Sequence, residues 1–116
     1  METEPPTVAD QSPAGIVVLL TTVSDRQQAQ TLACALVQQR LVACAQIDAI
    51  ESVYVWEDAL QREPECRLWL KTTVERQSAA IAALRALHPY TLPQIVILPA
   101  QASADYARWV RTAVRA

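Results

Sequence analysis

Ile16-Val17-Val18-Leu19-Leu20 is an unbroken aliphatic run, and Ile95-Val96-Ile97-Leu98 is a second. Their length and β-branching favour strands over helices, and a strand without polar alternation is buried on both faces. Any sheet built around such strands needs cover on each side. In Cys66-Arg67-Leu68-Trp69-Leu70-Lys71-Thr72 the alternation puts Cys66, Leu68 and Leu70 on one face, with Trp69 between Arg67 and Lys71 on the other. Ser52 to Trp56 reads as a further strand in which Tyr54 and Trp56 share a face opposite Val53 and Val55.

Three helices separate these strands. Ser24-x-x-Gln27 reads as a capping box, followed by an amphipathic stripe at Ala29, Leu32, Ala33, Leu36 and Val37. Thr72-x-x-Glu75 opens a second helix carrying Ile81, Leu84 and Leu87, which must stop near His88 because Pro89 disfavours helical geometry there. Ser103 caps a third, with Tyr106, Trp109, Val110 and Ala113 on one stripe. Val42 to Trp56 reads as one bent strand or two pieces. Glu57 to Glu65 is polar and broken by Pro64, which predicts a hairpin with a loose tip, and Gln94 to Leu98 is a strand closed by Pro99. The order β-α-β-β-α-β-α predicts an α+β class: a ferredoxin-like split βαβ antiparallel sheet with an added C-terminal helix. One domain is expected over residues 15–116, after a Pro-, Thr- and acid-rich tail at 1–14 expected to be disordered.

Two crossover helices cover one face of such a sheet, and a third short helix covers a few strands of the other. The remaining apolar face predicts self-association, since exposed patches of several hundred Å² are uncommon on monomers.

Composition excludes several classes of function. The net charge is −2, and Arg62, Arg67, Lys71 and Arg76 are interleaved with acids, so no basic track for nucleic acid exists. No apolar run reaches the ~18 residues of a membrane span, and the first 14 residues lack the apolar core of a signal peptide. Three irregularly spaced cysteines, Cys34, Cys44 and Cys66, fit reduced thiols and a cytoplasmic location. The single glycine, Gly15, excludes a Walker A loop and a dinucleotide fingerprint. With one histidine, His88, and no visible nucleophile–base pair, catalysis is not expected. Cys44 and His88 sit at element ends and either pair around a borderline cation or serve as a small core residue and a helix terminator. Trp56, Trp69 and Trp109 read as packing or interface anchors.

Arg40-Leu41-Val42-Ala43-Cys44-Ala45, Ser52-Val53-Tyr54-Val55-Trp56-Glu57, Leu70-Lys71-Thr72-Thr73, His88-Pro89-Tyr90-x-x-Pro93 and Tyr106-x-x-Trp109 together resemble the CutA divalent-cation-tolerance family, in order and from about Ile16 onward. The resemblance implies a PII-like homotrimer with the sheets packed around the threefold axis, Tyr54, Trp69 and Trp109 lying at its interfaces. It implies a role in tolerance of divalent cations, copper in particular, with weak Cu²⁺ or Zn²⁺ binding by Cys44 and His88 and no obligatory cofactor. It also implies clefts between subunits, near which Trp56, Lys71, Tyr90 and Gln94 are expected. An alternative is a sensor of a small anionic metabolite, with Lys71 supplying charge and Tyr90 a hydroxyl; another is a trimeric scaffold anchoring a protein partner. Three residues depart from the family's pattern. Asp58 replaces a glycine in the hairpin, Gln94 replaces a carboxylate after Pro93, and Gln46 stands where a smaller polar residue is usual.

Overall fold

A computed structural model of the chain describes residues 12–115. The expected tail thus falls largely outside the described residues, although Ala14 already belongs to the first strand. The elements are β1 (Ala14–Val23), α1 (Arg26–Gln38), β2 (Cys44–Trp56), β3 (Ala59–Thr72), α2 (Val74–Leu87), β4 (Val96–Ala102) and α3 (Ala104–Ala113). They form a four-stranded antiparallel sheet in the order β2-β3-β1-β4, the ferredoxin-like arrangement that the element order predicts.

The aliphatic run falls in β1, an inner strand, where Ile16 to Leu19 are buried on both faces and Leu20 is half-buried. Val17, Leu19 and Val23 join Leu68 and Leu70 of β3 in a core roofed by Ala29, Leu32, Ala33 and Leu36 of α1 and by Ala80 and Leu84 of α2. On the reverse face Ile16 meets Ala107, Val110 and Val114 of the third helix region, with Ala43. The buried stripe of α3 is therefore Ala107 and Val110, while Trp109, expected on that stripe, is 48% exposed. Beyond α3 the reverse face carries the row Gln46–Trp69–Leu20–Val96, given by the strand registers, with no helix over it among the described residues.

α1 and α2 each begin one residue later than the expected boxes. Asp25 caps α1, its carboxylate accepting from the Gln28 amide at 2.8 Å, and Gln28 reaches back to the Ser24 amide at 3.0 Å. Thr73 caps α2 by accepting from Arg76 N–H, which frees Thr72 to donate to the Leu41 carbonyl at 2.7 Å in the interior. Ser103 holds the N-cap position of α3, but its hydroxyl donates to Asp105 instead of capping. α1 ends in a Schellman-type turn. Leu41 N–H bonds the Leu36 carbonyl and Arg40 N–H bonds that of Val37, with Arg40 left-handed at φ 57°.

The hairpin differs from expectation. β2 is one continuous strand from Cys44, paired residue for residue with β3 from Ala59 onward, and the loose tip is a two-residue turn at Glu57 and Asp58. Both turn residues have positive φ, 51° and 64°, as a type I′ turn requires. Pro64 does not break β3. Pairing with β1 starts only at Cys66, so a proline nitrogen facing the far edge there leaves no ladder bond unmade among the described residues. Pro99 likewise lies inside β4, an edge strand, instead of closing it. The long hairpin extends past the sheet as an arm. The radius of gyration is 16.8 Å, against about 13 Å for a compact chain of this length.

Candidate functional site

At the root of the arm, three segments converge: the end of β1, the facing side of the hairpin, and the loop from His88 to Ile95. α2 stops at His88, whose backbone is extended (φ −69°, ψ 135°) ahead of Pro89. The chain then turns Tyr90 back over the sheet. Its amide donates to His88 Nδ1 at 3.0 Å, and the two rings meet edge to face at 4.9 Å. Because Nδ1 accepts, the neutral ring carries its proton on Nε2, which lies 3.0 Å from both the Thr22 carbonyl and Thr21 Oγ1. His88 is only 8% exposed, and its burial lowers the pKa below the ordinary value, against the smaller raising effects of Thr22 and Glu65.

The Tyr90 hydroxyl donates to Glu65 Oε2 at 2.7 Å. With that proton committed, Ser24 Oγ, 3.0 Å away, is the donor to Tyr90. Burial is the main cause that pushes the Tyr90 phenol up to about 12, so it remains a proton donor at neutral pH. On the arm Tyr54 donates to Glu63 Oε1 at 2.7 Å, and this bond raises its pKa. Thr22 donates to the Gln94 amide oxygen at 3.3 Å. Thr22, Tyr54, Trp56, Glu63, Glu65, Tyr90 and Gln94 line a groove of about 830 Å³.

The structure thus brings together three of the four expected cleft residues, Trp56, Tyr90 and Gln94, and adds Tyr54 to them. It places Lys71 elsewhere. The register sets Lys71 beside Cys44 and Val18, near the base of α3, with its ammonium 5.5 Å from the centre of the Tyr106 ring. Cys44, half-buried, has its sulfur 3.5 Å from the Tyr106 hydroxyl, and Tyr106 stacks on Trp109 at 5.6 Å. The hydrogen bond with Cys44 is the first cause that pushes the Tyr106 pKa up to about 12. Within one chain Cys44 and His88 do not meet. Cys44 shares the α3 side of the sheet with Lys71 and Val18, whereas His88 is anchored at Thr21 and Thr22 behind Tyr90. Among the described residues no group of three or more His, Cys, Asp or Glu is placed to hold a metal ion. Trp69 lies between the two ends, donating to Asp48, which also pairs with Arg67 at 2.7 Å.

The sequence reading missed Glu63 and Glu65. Their spacing of two would have placed both on one face had residues 59–65 been taken as strand, but Pro64 hid that strand.

The fold is thus a ferredoxin-like sheet with a protruding hairpin arm and a groove at the root of that arm. The model of the family described as CutA1 divalent ion tolerance protein matches residues 17–113. An Escherichia coli divalent-cation tolerance protein CutA is 39% identical over 101 residues, covering 85% of this chain and 90% of that one. The structure of CutA from Synechococcus elongatus is 40% identical with a TM-score of 0.85, covering 90% of this chain and 94% of that one. The same protein complexed with Bis-Tris matches at 39% and 0.80, covering 89% and 96%. The periplasmic divalent cation tolerance protein CutA of Archaeoglobus fulgidus matches at 25% and 0.83, covering 86% and 99%. This chain belongs to the CutA1 divalent ion tolerance family. No helix among the described residues is long and apolar enough to cross a membrane.

Proposed function

We propose that this chain confers tolerance to divalent cations, copper above all, as a homotrimer that binds Cu²⁺ or Zn²⁺ weakly. The observation that carries the trimer is the reverse face of the sheet. Leu20, Trp69 and Val96 form an apolar row there without a helix over it. Packing that face against copies of itself removes it from water at roughly 25 cal/mol per Å². Light scattering after size exclusion should give about three times the 12.8 kDa chain mass. A monomer at micromolar concentration would falsify the trimer.

For the metal, Cys44 is the better placed ligand, being a half-buried thiol, and His88 completes a site only by giving up its bonds to Tyr90 and Thr22. Isothermal titration with Cu²⁺ separates the two. Cys44→Ser should weaken binding at least about tenfold, and an unchanged affinity removes Cys44 from the site. Cell survival in Cu²⁺, with and without the chain expressed, tests the tolerance itself. The location we propose is the cytoplasm, in keeping with three free thiols; fractionation checks it.

A further inference from the structure

Arg40 and Arg115 are 75 positions apart in the sequence, yet Arg40 Nη1 donates to the Arg115 carbonyl at 3.3 Å. Arg76, in the first turn of α2, donates through Nε to the Arg40 carbonyl at 3.2 Å. Arg108 and Arg111 lie on α3 and Arg115 just past it, its amide bonding back to the Thr112 carbonyl at 3.3 Å. Helical spacing puts these three within about 60° of one another around the axis, and all are exposed. The ends of α1 and α3 and the start of α2 thus gather five guanidinium groups at the end of the sheet away from the arm.

Glu75 and Asp105 are the acids of these turns, and Asp105 is held by the Ser103 hydroxyl and the Tyr106 amide. None of the five arginines forms an ion pair among the described residues, where Asp48 and Arg67 make the one salt bridge. The arm is the reverse: Glu51, Glu57, Asp58, Glu63 and Glu65 stand there with Arg62 alone. A net charge of −2 therefore hides a polarised molecule.

Helix dipoles account for part of the arginine cluster. Arg40, Arg111 and Arg115 suit C-terminal ends, but Arg76 sits in a first turn, where a cation is disfavoured. Like charges three and four apart along α3 also repel. An anionic partner relieves both costs. None of the five arginines lines the groove at the arm root or the cavity of about 400 Å³ between α1 and Leu87 of α2, and small ligands need such concavity. From Arg108 to Arg115 the stripe runs about 10 Å, and Arg40 and Arg76 prolong it. Forked guanidinium groups in a row fit successive carboxylates of an extended chain. A long nucleic acid would overrun the patch and meet the acidic arm, and the chain lacks the overall basic charge of a nucleic-acid binder.

We propose that this end of the molecule docks an acidic protein segment, its aspartates and glutamates lying along Arg108, Arg111 and Arg115 and reaching Arg40 and Arg76. The surface shares no residue with the arm groove or with Cys44 and His88, and it rests on neither the copper nor the trimer reading.

The test is fluorescence anisotropy of labelled octaglutamate titrated with the full chain. Binding should saturate below about 1 mM chain and weaken at least about tenfold as salt rises from about 50 to about 300 mM. Arg108→Gln/Arg111→Gln/Arg115→Gln should lower the affinity at least about tenfold, the loss of three exposed charge pairs. Arg26→Gln/Arg85→Gln removes two exposed arginines outside the patch and should change it by less than about twofold. Circular dichroism checks that both variants are folded; should the triple variant not fold, Arg111→Gln alone carries the comparison, with at least about a twofold loss. Absence of saturable binding overturns the proposal, as do equal losses in the two variants. Tighter binding of an oligothymidylate of the same length would assign the stripe to nucleic acid instead, and displacement by equimolar pyrophosphate would make it a small-anion site. Tighter octaglutamate binding in Glu2→Gln/Glu4→Gln/Asp10→Asn would make the chain's own first residues the occupant and likewise overturn an external partner.

Discussion

Three of the described residues hold left-handed backbone, Arg40, Glu57 and Asp58, and none of them is glycine. The only glycine sits at position 15 in β1, where an added Cβ would meet nothing closer than the Ala100 carbonyl oxygen at 3.9 Å. A left-handed conformation costs a residue with a Cβ roughly 1–2 kcal/mol, while glycine in a strand forfeits about 0.5–1 kcal/mol of chain entropy. Both assignments are thus stabilities forgone. Asp58→Gly should raise the unfolding free energy by up to about 1 kcal/mol, and Gly15→Ala by about 0.5 kcal/mol, read as shifts in urea midpoint at fixed protein concentration. A midpoint lowered in Asp58→Gly would mean that the aspartate makes a stabilising contact. His88 sets a pH dependence of its own. Its folded pKa is depressed, so the native state binds fewer protons than the unfolded state as pH falls below the ordinary 6.5. Its contribution is whole above pH 6.5 and is lost as pH falls toward the depressed folded value. Protonation at Nδ1 would also expel the Tyr90 amide. The urea midpoint should therefore drop as pH falls below the ordinary 6.5, and His88→Gln should flatten that drop.

At the scale of elements, legibility followed the strength of the pattern. The strand–helix alternation was readable because the aliphatic runs and the 3.6-residue stripes are continuous, and the helix ends were readable to within a residue because Asp25 and Thr73 neighbour residues equally able to cap. The hairpin was not readable. A two-residue I′ turn normally announces itself with asparagine or glycine, and Glu57-Asp58 does not. Proline marks a break unless its nitrogen faces a free edge, which only the topology decides. The groove was half legible for the same reason: Trp56, Tyr90 and Gln94 were visible through the family motif, while Glu63 and Glu65 depended on the strand that Pro64 concealed. Thr72 carries another lesson of this scale. Read as a cap, it is instead a buried tie from the end of β3 to the carbonyl of Leu41, in the loop that leads α1 into β2. Thr72→Val keeps the shape and strands that carbonyl, which should cost about 1–3 kcal/mol in chemical denaturation. A loss below a few tenths would show that water replaces the bond.

At the scale of the whole molecule, one chain buries the helix side of its sheet and leaves much of the reverse side and the arm in water. The arm is a two-stranded ribbon, a form with little stability of its own, and its exposed Val53, Val55 and Leu60 belong against another surface. If the surface is a further copy, stability and assembly are linked, and the melting temperature must rise with protein concentration. Val96 is the residue at which to test this, since it lies in the uncovered row with Leu20 and Trp69 and is itself 37% exposed. An arginine there can reach solvent in a lone chain, so the monomer's own fold should tolerate it. Between copies the same charge would be stripped of water without a partner and would cost several kcal/mol per site. Val96→Arg should accordingly elute near the 12.8 kDa of one chain, keep its far-ultraviolet dichroism, and melt at a temperature independent of concentration. A variant that stays trimeric would move the contact to another face, and one that unfolds outright would show that the chain has no stable existence outside its assembly.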